Sequence, residues 1–194
     1  MNKIELINAT RTYLGRPNLP SADISFMIQI VEGELNRALR EHPRSMQLAP
    51  IVQLAGNALL PLPADILQAV TLRTATQDYK PYPPTARAAA TRLGEAFIAR
   101  GNVFEVFPTP AVDTTFYLDY IGALPPLVND LDTNWVSSYF GDVYFYGVLK
   151  ESAVYLKDDP RLVTWQAEFT RRTEELIAQG WGQNITTTQK VHMV

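Results

Sequence analysis

The segment from Asp142 to Trp165, DVYFYGVLKESAVYLKDDPRLVTW, constrains the fold most, because its spacing dictates two amphipathic helices joined by a tight turn. Tyr144, Phe145, Val148, Leu149, Ser152, Tyr155 and Leu156 recur at intervals of three and four, which puts them on one face of a helix. Asp159 is suited to cap the next helix, since its carboxylate can accept from the unpaired N–H groups of the first turn. Pro160 is suited to the first helical position, where the N–H it lacks would have no intrahelical partner. Leu162, Trp165, Phe169, Leu176 and Ile177 continue the apolar stripe, and Gly180 is expected to end it. Two antiparallel helices are predicted, with no catalytic group in the motif.

The rest of the chain has three textures. Ile4 to Leu14 reads as a short helix, followed by a loop over Gly15–Pro20. Ser21 or Asp23 then starts a long helix to about Arg40. Its apolar residues Phe26, Ile28, Ile30, Val31, Leu35 and Leu39 mark a buried side, and Glu32, Glu34, Arg37 and Arg40 a wetted one. Between Pro43 and Asp132 prolines crowd in, which disfavours long helices. Phe97 to Phe107 reads as a hairpin turning at Arg100–Gly101–Asn102, with Thr115 to Ile121 as its partner strand. Val70–Thr74 and Gln47–Gln53 are weaker strands, and Ala86 to Leu93 is a short helix. From Trp181 to Val194 the sequence is polar, rich in threonine and without helical periodicity, so an extended arm is expected.

The expected fold is therefore α+β and mainly α. A helical bundle built from residues 1–44 and 133–180 holds an inserted small β-rich module over 45–132, and an extended C-terminal arm runs over 181–194.

With 194 residues and 46% hydrophobic content, the chain is long enough for a full core. Without cysteine it has no disulfide framework and no thiolate metal site, which suits a reducing compartment. The opening MNKIELINATRTYLG lacks the apolar run of a signal peptide, and no stretch approaches the roughly 18 apolar residues of a membrane span. A soluble protein made in the cytoplasm, with no membrane partner, is expected. A net charge of −3 argues against a protein that grips phosphates, because that affinity comes from clustered Lys and Arg.

The search for chemistry yields no catalytic residue, cofactor site or metal site. His42 and His192 are the only histidines, too few for a metal cluster or an evident triad, and no glycine-rich phosphate loop occurs. Asp158 and Asp159 are adjacent acids at a helix start, where capping and the helix dipole account for them. Asp130, Asp132 and Asn134 alternate like calcium ligands but lack the glycine and closing glutamate of such a loop, so a loop before a helix is expected. Tyr139, Phe140, Tyr144, Phe145, Tyr146 and Tyr155 sit at spacings typical of core or subunit interface. Arg171 and Arg172 lie beside Glu168, Glu174 and Glu175, a pattern of ion pairs. These features describe an interaction or assembly protein. Two other readings stay open here: a small carboxylate-dependent hydrolase, and a DNA-packaging or DNA-binding accessory protein.

The helical hairpin, with Tyr144, Tyr146, Tyr155, Asp158, Asp159 and Trp165, resembles that of the head-to-tail adaptor (head-completion) proteins of short-tailed and related bacteriophages. That family has an aromatic-rich helix, an acidic turn and a helix opening with Trp. Here Pro160 replaces the usual Glu of the turn, and Val154 stands where Pro is common. Asn134–Trp135, Leu62–Leu67 (LPADIL) and Phe26–Arg40 (FMIQIVEGELNRALR) are similar to further family segments, in the same order. The resemblance implies a virion protein of the head–tail connector region, assembled in the host cytoplasm into a homo-oligomeric ring, typically of about twelve copies. Its implied partners are the portal protein on one side and tail proteins, nozzle or fibre, on the other. Double-stranded DNA would pass through a neutral or acidic channel without specific binding. The arm, through Trp181, Ile185, Thr187, Val191 and Met193, is expected to dock on the portal or on an adjoining subunit.

Overall fold

The computed structural model of the chain describes residues 1–157 and 159–183. It is a mixed helix-and-sheet protein with two compact units, one formed by Met1–Pro43 with the chain from Leu124 onward, the other by Arg44–Ala123.

In the first unit several helix ends have a local reason. α1 (Lys3–Leu14) starts on a capping box: the Asn2 side chain accepts from the Glu5 N–H at 2.9 Å, and the Glu5 carboxylate accepts from the Asn2 N–H at 2.8 Å. It ends at Gly15, whose φ of 63° is the left-handed cap that glycine adopts without strain. α2 (Ser21–Ala38) follows Pro20 with no side-chain cap, so Ser21 and Asp23 lie inside the helix rather than capping it. Asp23 still sits in the first turn, where the positive end of the dipole favours it. α4 (Trp135–Tyr139) starts on a second capping box, between Asn134 and Ser137. α5 (Gly141–Leu156) ends at Lys157, which takes a left-handed φ of 55°.

α6 (Asp159–Gln183) departs from expectation at both ends. It begins at Asp159 itself, and Asp158 lies outside the described residues. It also passes through Gly180 as far as Gln183, so Trp181 is helical rather than part of an extended segment. An interior glycine costs a helix only about 1 kcal/mol, which a helix of 25 residues absorbs. Ile185, Thr187, Val191 and Met193 lie outside the described residues.

The core of this unit is a cluster that includes Leu6, Ile7, Ile24, Ile28, Val31, Leu35, Val136, Val143, Tyr144, Val148, Phe169 and Leu176. The stripe of α2 runs through Ile24, Met27, Ile28, Val31 and Leu35, a clean three-and-four repeat. That register leaves Phe26 63% exposed and carries Glu32 inside, reversing the expectation for both. Gly147 is where α5 comes closest to its neighbours: a Cβ there would lie 2.7 Å from Val31 Cγ1 and 3.0 Å from Phe169 Cε2.

The second unit is a nearly closed seven-stranded sheet in the order β1-β7-β3-β4-β5-β6-β2. Its strands are β1 (Met46–Gln53), β2 (Leu59–Pro61), β3 (Ile66–Arg73), β4 (Asp78–Tyr82), β5 (Ala96–Arg100), β6 (Val103–Phe107) and β7 (Thr114–Gly122). All pairs are antiparallel except β4 with β5, which are joined through α3 (Arg87–Leu93), as a parallel pair requires a crossover. β5 and β6 form the expected hairpin, with Ala96 opposite Phe107 and Gly101 at φ 58° in the turn. β7 is not the partner of that hairpin. It lies between β1 and β3, with Met46 opposite Ile121 and Leu72 opposite Leu118. Its Phe116, Leu118 and Tyr120 point into a core shared with Leu60, Leu72, Phe97 and Phe104. At the near-closure, Gln53 Nε2 donates to the carbonyls of Asn57 and Leu59, tying the end of β1 to the start of β2.

Candidate functional site

The hairpin of α5 and α6 carries the residues singled out in the sequence, and the first unit sorts them into two groups. Tyr144 and Trp165 are internal. Tyr144 is fully buried, its hydroxyl accepting from Asn134 Nδ2 at 2.7 Å and donating to Glu32 Oε1 at 3.4 Å. Burial, with the Glu32 carboxylate beside it, pushes this hydroxyl far above the ordinary phenol range, so it remains a neutral donor. Trp165 packs on Leu149 and Ala153. Tyr146 is half-buried against the core, and Tyr155 is at the surface of the hairpin. The Arg172 guanidinium stands 4.0 Å over the Tyr146 ring and is held there by Asp142, at 2.9 Å, and by Glu168. Tyr155 is exposed, contrary to its place in the predicted stripe, and donates to Asp23 Oδ2 at 2.9 Å. Asp159 is the first residue of α6.

Two charged residues that the sequence reading did not single out as functional lie inside this unit. Glu32 is buried and accepts from the Leu127 N–H at 2.7 Å, while Asn36 Oδ1 accepts from the Leu124 N–H at 2.7 Å. Asn134 Nδ2 also donates to the Pro125 carbonyl at 2.8 Å. Together these side chains hold the segment 124–134 against α2. The available signal was spacing: Glu32 stands four residues after Ile28, on the buried arc. Lys150 is only 5% exposed, with its ammonium 2.6 Å from Glu34 Oε2, 2.9 Å from Glu151 Oε1 and 4.8 Å from the Phe169 ring centroid. Its sequence neighbours do not distinguish it from a solvated lysine.

No group of three or more His, Cys, Asp or Glu could hold a metal ion among the described residues. Asp132 accepts from the N–H groups of Val128 and Asn129, and these bonds hold its carboxyl below the usual range. Asn134 caps α4, so this acidic stretch is a loop entering a helix. His42 is buried, with its ring stacked on Trp135 at 4.9 Å. Among the described residues no helix is long and apolar enough to cross a membrane.

Residues 1–191 match the model of the family described as SU10 adaptor protein. The chain belongs to the SU10 adaptor family. No curated protein matches it. The membership bears out the resemblance to phage head–tail adaptors and assigns a structural role in the virion, in association with other virion components such as portal and tail.

For this SU10 adaptor, Glu32 gives a pH test of the internal network. Burial raises its pKa above the ordinary carboxylate value, and the bonds from Leu127 and Tyr144 only partly offset this. A carboxyl with a raised native pKa binds its proton more tightly in the folded state. Its contribution to stability is therefore fullest below the unfolded value and declines as pH rises through the native one. Glu32→Gln, which keeps an acceptor oxygen, should raise the melting temperature at neutral pH, with the gain shrinking in acid. Thermal melts across that range test it. A variant that loses most stability at neutral pH would show that the carboxylate charge is favourable in place.

Proposed function

We propose that this adaptor works as a closed ring of about twelve identical subunits between portal and tail, each subunit presenting two different faces to its neighbours. The ring extends the DNA channel and forms the platform for tail attachment. In this reading the helices from both ends of the chain form the bundle that builds the ring, and Arg44–Ala123 is a module inserted into it. The C-terminal segment engages the portal or an adjoining subunit. Duplex DNA passes through without specific binding, consistent with a net charge of −3.

The observation that carries this reading is the extent of the family match, which spans residues 1–191 and so includes both units. Exposed apolar side chains on the helical unit supply the contact material an assembly needs: Phe26, Val154, Tyr155 and Val163 all stand in solvent on the single chain. Native mass measurement and electron imaging of the protein mixed with its portal should show rings of about twelve copies coaxial with it. A monomer or a twofold dimer in the presence of portal would refute the ring.

A further inference from the structure

In the Arg44–Ala123 unit, Glu105 of β6 is buried between two arginines. Arg87 donates to its Oε1 at 2.6 and 3.1 Å, and Arg100 Nε stands 2.7 Å from its Oε2, an ion contact without hydrogen-bond alignment. The arginine side chains are 60% and 47% exposed. Two cations on one carboxylate leave a net positive charge, and the Arg100 Nη groups have no partner among the described residues. Strand register sets apolar side chains beside them. Leu59 lies opposite Glu105, while Pro61 and Arg100 both lie opposite Val103, so these residues share one face of the sheet. Leu59 and Pro61 are exposed there. Because Glu105 already orders both guanidiniums, an incoming carboxylate would meet them with little further loss of side-chain freedom. The patch suits a carboxylate with an apolar side chain next to it.

The helical unit presents such a pair in the segment between β7 and α4. Leu131 is 78% exposed, the highest value for a large apolar residue among those described. The carboxylate of its neighbour Asp130 has no hydrogen bond or ion pair among the described residues. The segment is nevertheless held in place: the Ile4 N–H donates to the Asp130 carbonyl at 3.0 Å, and the Asp132 carboxylate accepts from the Val128 and Asn129 N–H groups at 2.9 and 2.7 Å. Other carboxylates near exposed apolar side chains are already engaged. Asp23, near Phe26, accepts from Tyr155, and Asp113, beside Val112, accepts from the Ala55 N–H. We infer that Asp130 and Leu131 of one copy dock on Arg87, Arg100 and Leu59 of the next. Charge complementarity and the two exposed leucines assign the occupant: Arg87 and Arg100 pair only with Glu105 on the single chain, and a second copy brings the unpaired carboxylate to them. The two surfaces are different, so the contact is head-to-tail and can close a ring, as an isologous twofold contact does not. The inference rests on the reading of the protein as a ring of identical subunits.

The chain has no cysteine, so introduced ones report without background. Full-length Leu131→Cys and Leu59→Cys proteins of different tag length should be mixed with portal and oxidised, with Val112→Cys, another exposed position, replacing Leu59→Cys in the control. The 131–59 mixed disulfide should form on the order of a hundredfold faster than the 131–112 one, as expected for a held contact. Equal rates, no 131–59 adduct, or a doubly substituted chain that closes only onto itself overturn the inference. Asp130→Arg tests the charge without touching the Glu105 cluster: its melting temperature should match the unsubstituted protein, while the concentration needed for assembly should rise on the order of tenfold. Unchanged assembly, or intact rings that have lost only their hold on portal, overturn it as well. Native mass on the unoxidised samples separates the two ideas. A ring that yields no adduct sinks this contact and leaves the ring, and a monomer that yields none sinks both.

Discussion

Replacing Tyr144 with alanine should lower the unfolding free energy of the helical unit by about 3–5 kcal/mol, the loss typical of deleting a buried aromatic side chain. The ring lies in the central cluster with Val31, Val136, Val148 and Phe169, and its neighbours are backbone-anchored on several helices, so the space left behind cannot readily collapse. Tyr144→Phe separates the ring from the hydroxyl. It keeps the packing but removes the acceptor for Asn134 Nδ2 and a donor to Glu32. Asn134 retains the Pro125 carbonyl and Glu32 retains the Leu127 N–H, so a loss of about 1–3 kcal/mol is expected. Urea denaturation of both variants at neutral pH measures the two values. Equal losses would mean that the polar network, and not the volume, dominates at this position.

Lys150→Ala should cost about 3 kcal/mol, at the low end for breaking a buried ion pair. The ammonium sits between Glu34 and Glu151, and its removal leaves two partly buried carboxylates facing each other without a cation. It also removes the ammonium that stands 4.8 Å from the Phe169 ring centroid, together with the buried stem that carries it. The ionic part can be isolated with Lys150→Met, which keeps most of the stem, combined with Glu34→Gln. In that background Glu34→Gln should be nearly neutral or stabilising, whereas alone it should destabilise. Strict additivity of the two substitutions would show that Lys150 and Glu34 are not coupled.

The helical hairpin was legible in advance because its information is local. Residues three and four apart define a face, and left-handed caps such as Gly15 stop a helix through their own backbone freedom. The β5–β6 hairpin was legible for the same reason, since Gly101 permits the turn and both strands lie next to it. Where local signals were weak, the reading failed. Gly180 looked like a stop, but glycine only weakens a helix, and α6 continues to Gln183. Phe26 and Tyr155 fall on apolar stripes by their spacing, yet packing chooses a register that leaves both in solvent and brings Glu32 in.

The sequence by itself determined the long helices and the β5–β6 hairpin, the absence of thiol chemistry, and, through an ordered series of family-like motifs, membership of an adaptor family, but not the short β2, β4 and α4. Only the tertiary structure decided that β7 lies between β1 and β3, that Glu32 bonds Tyr144 across 112 positions, and that Lys150 meets Glu34 across 116. The physical reason is the range of the forces involved. Backbone propensity and side-chain periodicity act over one or two turns. The burial of a charge or the partner of a strand is decided by whichever distant residues satisfy its hydrogen bonds once the core has closed.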